Sequence, residues 1–277
     1  MRIGIRLHDT APGTLKERLS FAQAQGFCSA HVALSKVLPD FEMKDAPEKL
    51  TAEYAEQVRR DFSDTAMDCA VLGCYLNLAD PNEERRKATQ QIYRAHLRFA
   101  AMIGASVVGT ETYANPDSRF SEPAAESEDA FRLFMDSLKT VVRYAEEENA
   151  ILAVEPVYHH LSSTPERAER MLEAVPSDHL RIILDAVNLI GPESTGRAQE
   201  IIEDAIRRLG DRVRILHMKD YVLLPDGKMR SCACGLGNMR YEKLLAFGAE
   251  KDLPMTLEDT VPKNAEQARL YLEKLYN

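Results

Sequence analysis

Four short apolar runs in the second half of the chain each stop on a side chain that can bind a metal or move a proton. They are Ile151-Leu152-Ala153-Val154-Glu155, Ile182-Ile183-Leu184-Asp185, Val213-Arg214-Ile215-Leu216-His217 and Met255-Thr256-Leu257-Glu258. The ending residues are separated by 30, 32 and 41 positions. One carboxylate at the end of one strand is ordinarily a helix cap or part of a loop ion pair. Four in register ask for a common cause. Three carboxylates gathered in a partly buried site repel one another unless a cation joins them. An oxygen-rich set with one imidazole suits a single divalent ion. Mn²⁺ is the first candidate, with Mg²⁺, Co²⁺ and Zn²⁺ open. With no cysteine in the set, a structural zinc site is not expected.

The elements that must position these residues repeat along the chain. Strand-like runs are expected at 2–7, 28–34, 68–77, 106–112, 151–156, 180–184, 213–217 and 255–258. Between them lie segments with apolar residues at three- and four-residue spacing, at 14–25, 51–65, 82–103, 126–148, 164–174, 197–209, 239–250 and 264–275. Thr164 before Pro165 reads as a helix cap, and Gly26, Gly104 and Gly210 read as left-handed helix ends. Eight strands alternating with eight helices predict an α/β fold, a (β/α)₈ TIM barrel, as one domain over residues 1–277. A doubly wound sheet would carry a glycine-rich turn after its first strand. Here that strand runs into His8-Asp9-Thr10 with no such turn. In a barrel the strand ends converge on one face, which gathers the four residues. Their 41-residue gap holds an extra loop, 221–238.

Composition bounds the partners. Lys and Arg number 35 against 44 Asp and Glu, a net charge of −9, which argues against nucleic acid. No apolar run is long enough to span a membrane and the amino terminus lacks a secretory pattern, so the cytoplasm is expected. The five cysteines are read as reduced thiols, with Cys232 and Cys234 in the loop near the pocket. Phe131, Phe134, Met135 and Leu138 read as helix core, and Glu146–Glu148 as a solvated helix end.

The stretches Val154-Glu155-Pro156, Leu184-Asp185-Ala186-Val187-Asn188, Leu216-His217-Met218-Lys219-Asp220 and Leu257-Glu258-Asp259 resemble the sugar phosphate isomerase/epimerase family, the xylose isomerase-like TIM barrels. So do Cys234-Gly235-Leu236-Gly237-Asn238 before Tyr241, like that family's GxG turn leading into the last helix, and Ile103-Gly104-Ala105-Ser106 before the fourth strand. The resemblance implies that Glu155, Asp185, His217 and Glu258 bind one divalent ion. It also implies that Glu155 and Glu258 act as acid and base on opposite faces of a sugar. Proton abstraction beside a carbonyl, through an enediolate, would then give epimerisation or aldose–ketose isomerisation. The chain departs from several relatives at Asn188, where they carry a histidine; an amide can bond a substrate hydroxyl but cannot shuttle a proton. The missing histidine and the acidic charge also argue against an apurinic endonuclease.

Further residues near the expected mouth are Glu111, Asn188, Lys219 and His8, each either a substrate contact or an ordinary structural partner. Lys219 could instead pair with Asp220 or Asp185, and His159 and His160 are read as loop residues. With no basic cluster to clamp a phosphate, the expected substrate is a non-phosphorylated sugar or polyol. Two other readings stay open: an inosose-type keto-polyol dehydratase on the same site, and a non-catalytic sugar-binding barrel. A homo-oligomer, dimer or tetramer, is open as well.

Overall fold

The computed structural model describes residues 1–112 and 127–276. Eight parallel strands close into a barrel: β1 (Ile3–Arg6), β2 (Ser29–Val32), β3 (Asp68–Gly73), β4 (Val107–Glu111), β5 (Leu152–Glu155), β6 (Leu180–Asp185), β7 (Val213–Met218) and β10 (Met255–Leu257). Their spatial order follows the chain, and β10 closes the ring between β7 and β1. The eight expected helices are present as α1 (Leu15–Ala24), α4 (Ala52–Asp64), α5 (Glu83–Ile103), α6 (Glu128–Glu147), α7 (Pro165–Ala174), α9 (Ala198–Leu209), α10 (Glu242–Glu250) and α11 (Ala265–Tyr276). The expected start of the helix at Glu126 lies outside the described residues.

Local chemistry sets these boundaries. Thr14, Thr51, Asn82, Ser127 and Thr164 each cap a helix by accepting a hydrogen bond from the third backbone N–H of the helix they precede. Gly26 and Gly104 adopt left-handed φ of 84° and 74°, as a helix end requires. Gly210 corrects the third expectation. Its φ is −53°, because α9 runs straight into a 3₁₀ turn, Gly210–Arg212, that feeds β7.

Other differences lie where periodicity is too short to read. The third strand ends at Gly73 rather than residue 77, and Leu34 opens a one-turn helix, α2 (Leu34–Val37). Two more single turns are α3 (Ala46–Lys49) and α8 (Ala186–Leu189). The segment expected as a plain loop after β7 contains an antiparallel hairpin, β8 (Asp220–Leu223) with β9 (Met229–Cys232).

Strand side chains alternate between the barrel interior and the helices. The large core lies between sheet and helices and includes Phe131, Phe134, Met135 and Leu138, as expected. Inside the barrel is a separate small plug of Ala70, Val71, Val107, Ala153, Ile183 and Ile215. Two positions beyond three of these, on the same face, come Glu155, Asp185 and His217. The register sets Asp185 beside His217 and Glu111 beside Glu155. Among the described residues no helix is long and apolar enough to cross a membrane.

Candidate metal centre

Glu155 and Asp185 are the last residues of β5 and β6, His217 lies one short of the end of β7, and Glu258 follows β10 directly. All four are buried, at 5% exposure or less. They converge. His217 Nδ1 lies 3.1 Å from Glu155 Oε2 and 3.3 Å from Glu258 Oε1. Donor atoms of Glu155, Asp185 and His217 fall within 4.8 Å of one another. Asp185 also caps α8, accepting from the Asn188 backbone N–H at 3.0 Å.

Of the residues expected around the four, Lys219, Asn188 and Glu111 meet polar partners, and His8 lines the cavity above them. Lys219 is buried and pairs with Asp185, not Asp220: its Nζ is 3.0 Å from Asp185 Oδ2 and 3.3 Å from Glu258 Oε2. Asp220 instead accepts four backbone N–H bonds, from Tyr221, Gly235, Gly237 and Met239. Asn188 Nδ2 donates to Glu155 Oε1 at 2.5 Å and so orients that carboxylate. Glu111 Oε2 faces His160 Nδ1 at 3.6 Å. A cavity of about 430 Å³ opens over the site, and Glu111, Asn188, Lys219, Glu258 and His8 are among its lining residues. His159 and His160 line it too, so these loop residues are mouth residues as well.

Sequence reasoning restricted to the later strands misses Arg6, His31 and Tyr75. Arg6 Nη1 is 3.3 Å from Glu258 Oε2, while its Nη2 holds Asp9 at 3.1 Å and Asp259 at 2.7 Å. His31 stacks on His217 with ring centroids 5.2 Å apart, and its Nε2 meets the Tyr75 hydroxyl at 3.1 Å. For Arg6 and His31 the signal was present: each is an ionisable side chain at or near the end of a short strand. Tyr75 lies beyond the end of β3 and carries no such mark.

The residues fit a divalent cation. His217 is buried with both ring nitrogens lacking a hydrogen-bond partner, although Nδ1 sits within 3.3 Å of two carboxylate oxygens. Among the described residues Asp185 Oδ2 is met only by the Lys219 ammonium, at 3.0 Å. Buried nitrogen lone pairs and carboxylates crowded together are costly unless a cation takes them up. Oxygen donors with one nitrogen suit a hard or borderline ion.

The electrostatics say the same. Burial, then the neighbouring Glu258, pushes the Glu155 carboxyl up to about 8. Burial and Glu155 push Glu111 up to about 8, and burial raises Asp185 to about 6 despite Lys219. Burial also opposes ionisation of Glu258, but His217, Lys219, His31 and Arg6 outweigh it and hold that carboxyl well below the usual range. Burial lowers His217, leaving a neutral imidazole able to ligate.

A pH dependence follows. Carboxyls raised above their ordinary values of 4.5 and 3.8 favour folding when protonated. That contribution is complete below the ordinary values and is lost as pH rises through about 6 to about 8. The buried histidines, which burial holds below their ordinary value of 6.5, act in the opposite sense until the unfolded imidazoles have lost their protons. The thermal midpoint of chelator-treated protein is therefore expected to fall between about pH 7 and about 8, where only the raised glutamates still titrate, and added Mn²⁺ to flatten the fall. A midpoint that climbs above about pH 7 in the presence of chelator would contradict the arrangement.

No protein of curated function matches the sequence. Solved structures do match the fold. A 3-keto-D-glucoside 4-epimerase, YcjR, from E. coli shares 17% identity with a TM-score of 0.75, covering 99% of each chain. The IOLI protein with a bound zinc atom shares 18% identity with a TM-score of 0.74, covering 99% of this chain and 96% of that one. A probable 3-DHS dehydratase, AsbF, from Bacillus anthracis shares 13% identity with a TM-score of 0.74, covering 100% and 99%. The family model described as xylose isomerase-like TIM barrel matches residues 22–275. A closed eight-stranded barrel and a sequence match over almost its whole length place this chain in the xylose isomerase-like TIM barrel family.

Proposed function

We propose that the protein is a divalent-metal-dependent isomerase or epimerase acting on a ketose or related sugar or polyol. Glu155, Asp185, His217 and Glu258 would hold the ion, which when bound supplies Lewis-acid polarisation of a carbonyl; Mn²⁺ is the first candidate and Zn²⁺ the next. The observation that carries the reading is the pair of buried glutamates set on either side of His217 Nδ1, at 3.1 and 3.3 Å. A centre inverted through a planar enediolate needs one group to take a proton from one face and another to return it on the opposite face. Glu155 and Glu258 are those groups.

The surrounding residues serve this exchange. Asn188 turns Glu155 by its 2.5 Å hydrogen bond and presents the rest of its amide to substrate hydroxyls. Arg6 and Lys219 fix Glu258 from two sides. Lys219 also offers N–H donors to a substrate oxygen, and His8 and Glu111 reach the outer part of the same cavity. The wall carries Glu111, Glu258 and Asp259 alongside Arg6, Lys36 and Lys219; Arg6 and Lys219 are already matched by carboxylates, which among the described residues leaves Lys36 alone of its cations for an anion. This favours an uncharged polyol over a phosphorylated sugar.

Ketoses incubated with the Mn²⁺-loaded protein in D₂O provide the test. The expected result is deuterium at the carbon beside the carbonyl together with an epimer or aldose. A dehydrated product would replace this assignment with a lyase, and absence of exchange for every ketose despite bound Mn²⁺ would favour a binding protein.

A further inference from the structure

We propose that His31 is a fifth ligand of the same cation, through Nδ1, so that the centre holds two imidazoles. The inference rests on the metal reading above and extends it to a residue on the opposite side of the barrel. His31 enters from β2, across the site from β5 and β6. Its side chain is 2% exposed, and Nδ1 has no hydrogen-bond partner. That nitrogen lies 3.5 Å from Glu258 Oε1, the same oxygen that sits 3.3 Å from His217 Nδ1. The two rings are nearly parallel, 15° apart, and both Nδ1 atoms lie within 3.5 Å of the same carboxylate oxygen. Donor atoms of His31, His217 and Glu258 fall within 4.8 Å of one another, as do those of Glu155, Asp185 and His217. His217 belongs to both triads, so a cation bound beside it would have the donors of both within its neighbourhood.

Two further features hold His31 in this pose. A ligating histidine is normally anchored through its other ring nitrogen, which fixes its orientation. His31 Nε2 has that anchor in the Tyr75 hydroxyl at 3.1 Å. Gly73 makes room for the pair: a Cβ there would stand 2.7 Å from the Tyr75 ring and 3.1 Å from His31 Nε2. The competing role for Nδ1, a hydrogen-bond donor to Glu258, has a poor basis in a 3.5 Å separation that leaves the nitrogen unpartnered. A second imidazole also shifts the set toward borderline ions such as Zn²⁺ and Co²⁺ relative to Mg²⁺.

The test counts nitrogens on bound metal rather than turnover. Protein labelled with ¹⁵N-histidine and loaded with Mn²⁺ is examined by electron–nuclear double resonance. Two directly bonded nitrogens are expected in the unsubstituted protein and one in His31→Gln, whose Kd for Mn²⁺ should rise roughly tenfold. In Tyr75→Phe, which frees the ring from behind, both nitrogens are expected to remain while Kd rises by a smaller factor. A single nitrogen in the unsubstituted protein overturns the proposal and leaves the four-residue centre standing. Failure of Mn²⁺ to bind at all overturns both, and the two failures are distinguished before any nitrogen is counted.

Discussion

Replacing Glu155 by Gln is expected to lower the rate of proton exchange beside the ketose carbonyl by about 10²–10⁴-fold, the usual contribution of a positioned acid or base. The substitution preserves volume and keeps an amide oxygen that can accept the Asn188 Nδ2–H. It removes a buried carboxylate whose ionisation is already opposed by burial and by Glu258. The fold should therefore survive, and a thermal midpoint close to that of the unsubstituted protein would show that it does. Exchange in D₂O, followed by loss of the proton signal at the carbon beside the carbonyl, reads the effect. A variant that retains most of its exchange rate while binding Mn²⁺ normally would remove Glu155 from the chemistry.

The second large effect concerns stability. Asp220→Ala is expected to cost about 3 kcal/mol, because the buried N–H groups of Tyr221 and Met239 would each lose their acceptor at roughly 1–3 kcal/mol, while those of the exposed Gly235 and Gly237 can turn to water. Asp220 is 1% exposed and accepts from Tyr221 N at 2.8 Å, Met239 N at 2.7 Å, Gly235 N at 3.1 Å and Gly237 N at 3.0 Å. In a chain of this size that corresponds to a fall in Tm of about 6–12 °C. The two carboxylate oxygens take two bonds each, so Asp220→Asn should lose about half as much. Calorimetry on the two variants checks the ratio. Equal midpoints for both variants and the unsubstituted protein would mean that the segment 233–239 is held by something else.

These two residues show where sequence is informative. Glu155 was legible because the strand period of two and the barrel period of 30 to 32 residues both point at it, as they do at Asp185 and His217. The barrel was legible for the same reason, since each strand is a short run and α1, α4, α5, α6 and α7 start at side-chain caps. Asp220 was not legible as a clamp. Three of its four partners are backbone amides 15 to 19 residues away, in a hairpin and loop with no hydrophobic period. Lys219 could be narrowed only to a choice of carboxylates, because one step along a strand end decides which neighbour a long side chain meets. His31 and Arg6 carried the strand-end signal but lie on early strands, far in sequence from the four later residues. Gly210 reads as a left-handed end because glycine permits that conformation; the chain uses a right-handed one there because the next strand begins without a reversal.

The apolar plug inside the barrel has a consequence for traffic. Val71, Val107, Ala153, Ile183 and Ile215 are fully buried and fill the cylinder beneath Glu155, Asp185, His217 and Glu258. Among the described residues the well over them is therefore closed at its base. Whatever enters past His8, Lys36 and His159 at the rim must back out through the same opening. On the proposed activity, entry of a fresh molecule and departure of the converted one would then compete at that mouth, and side chains at the rim would govern both.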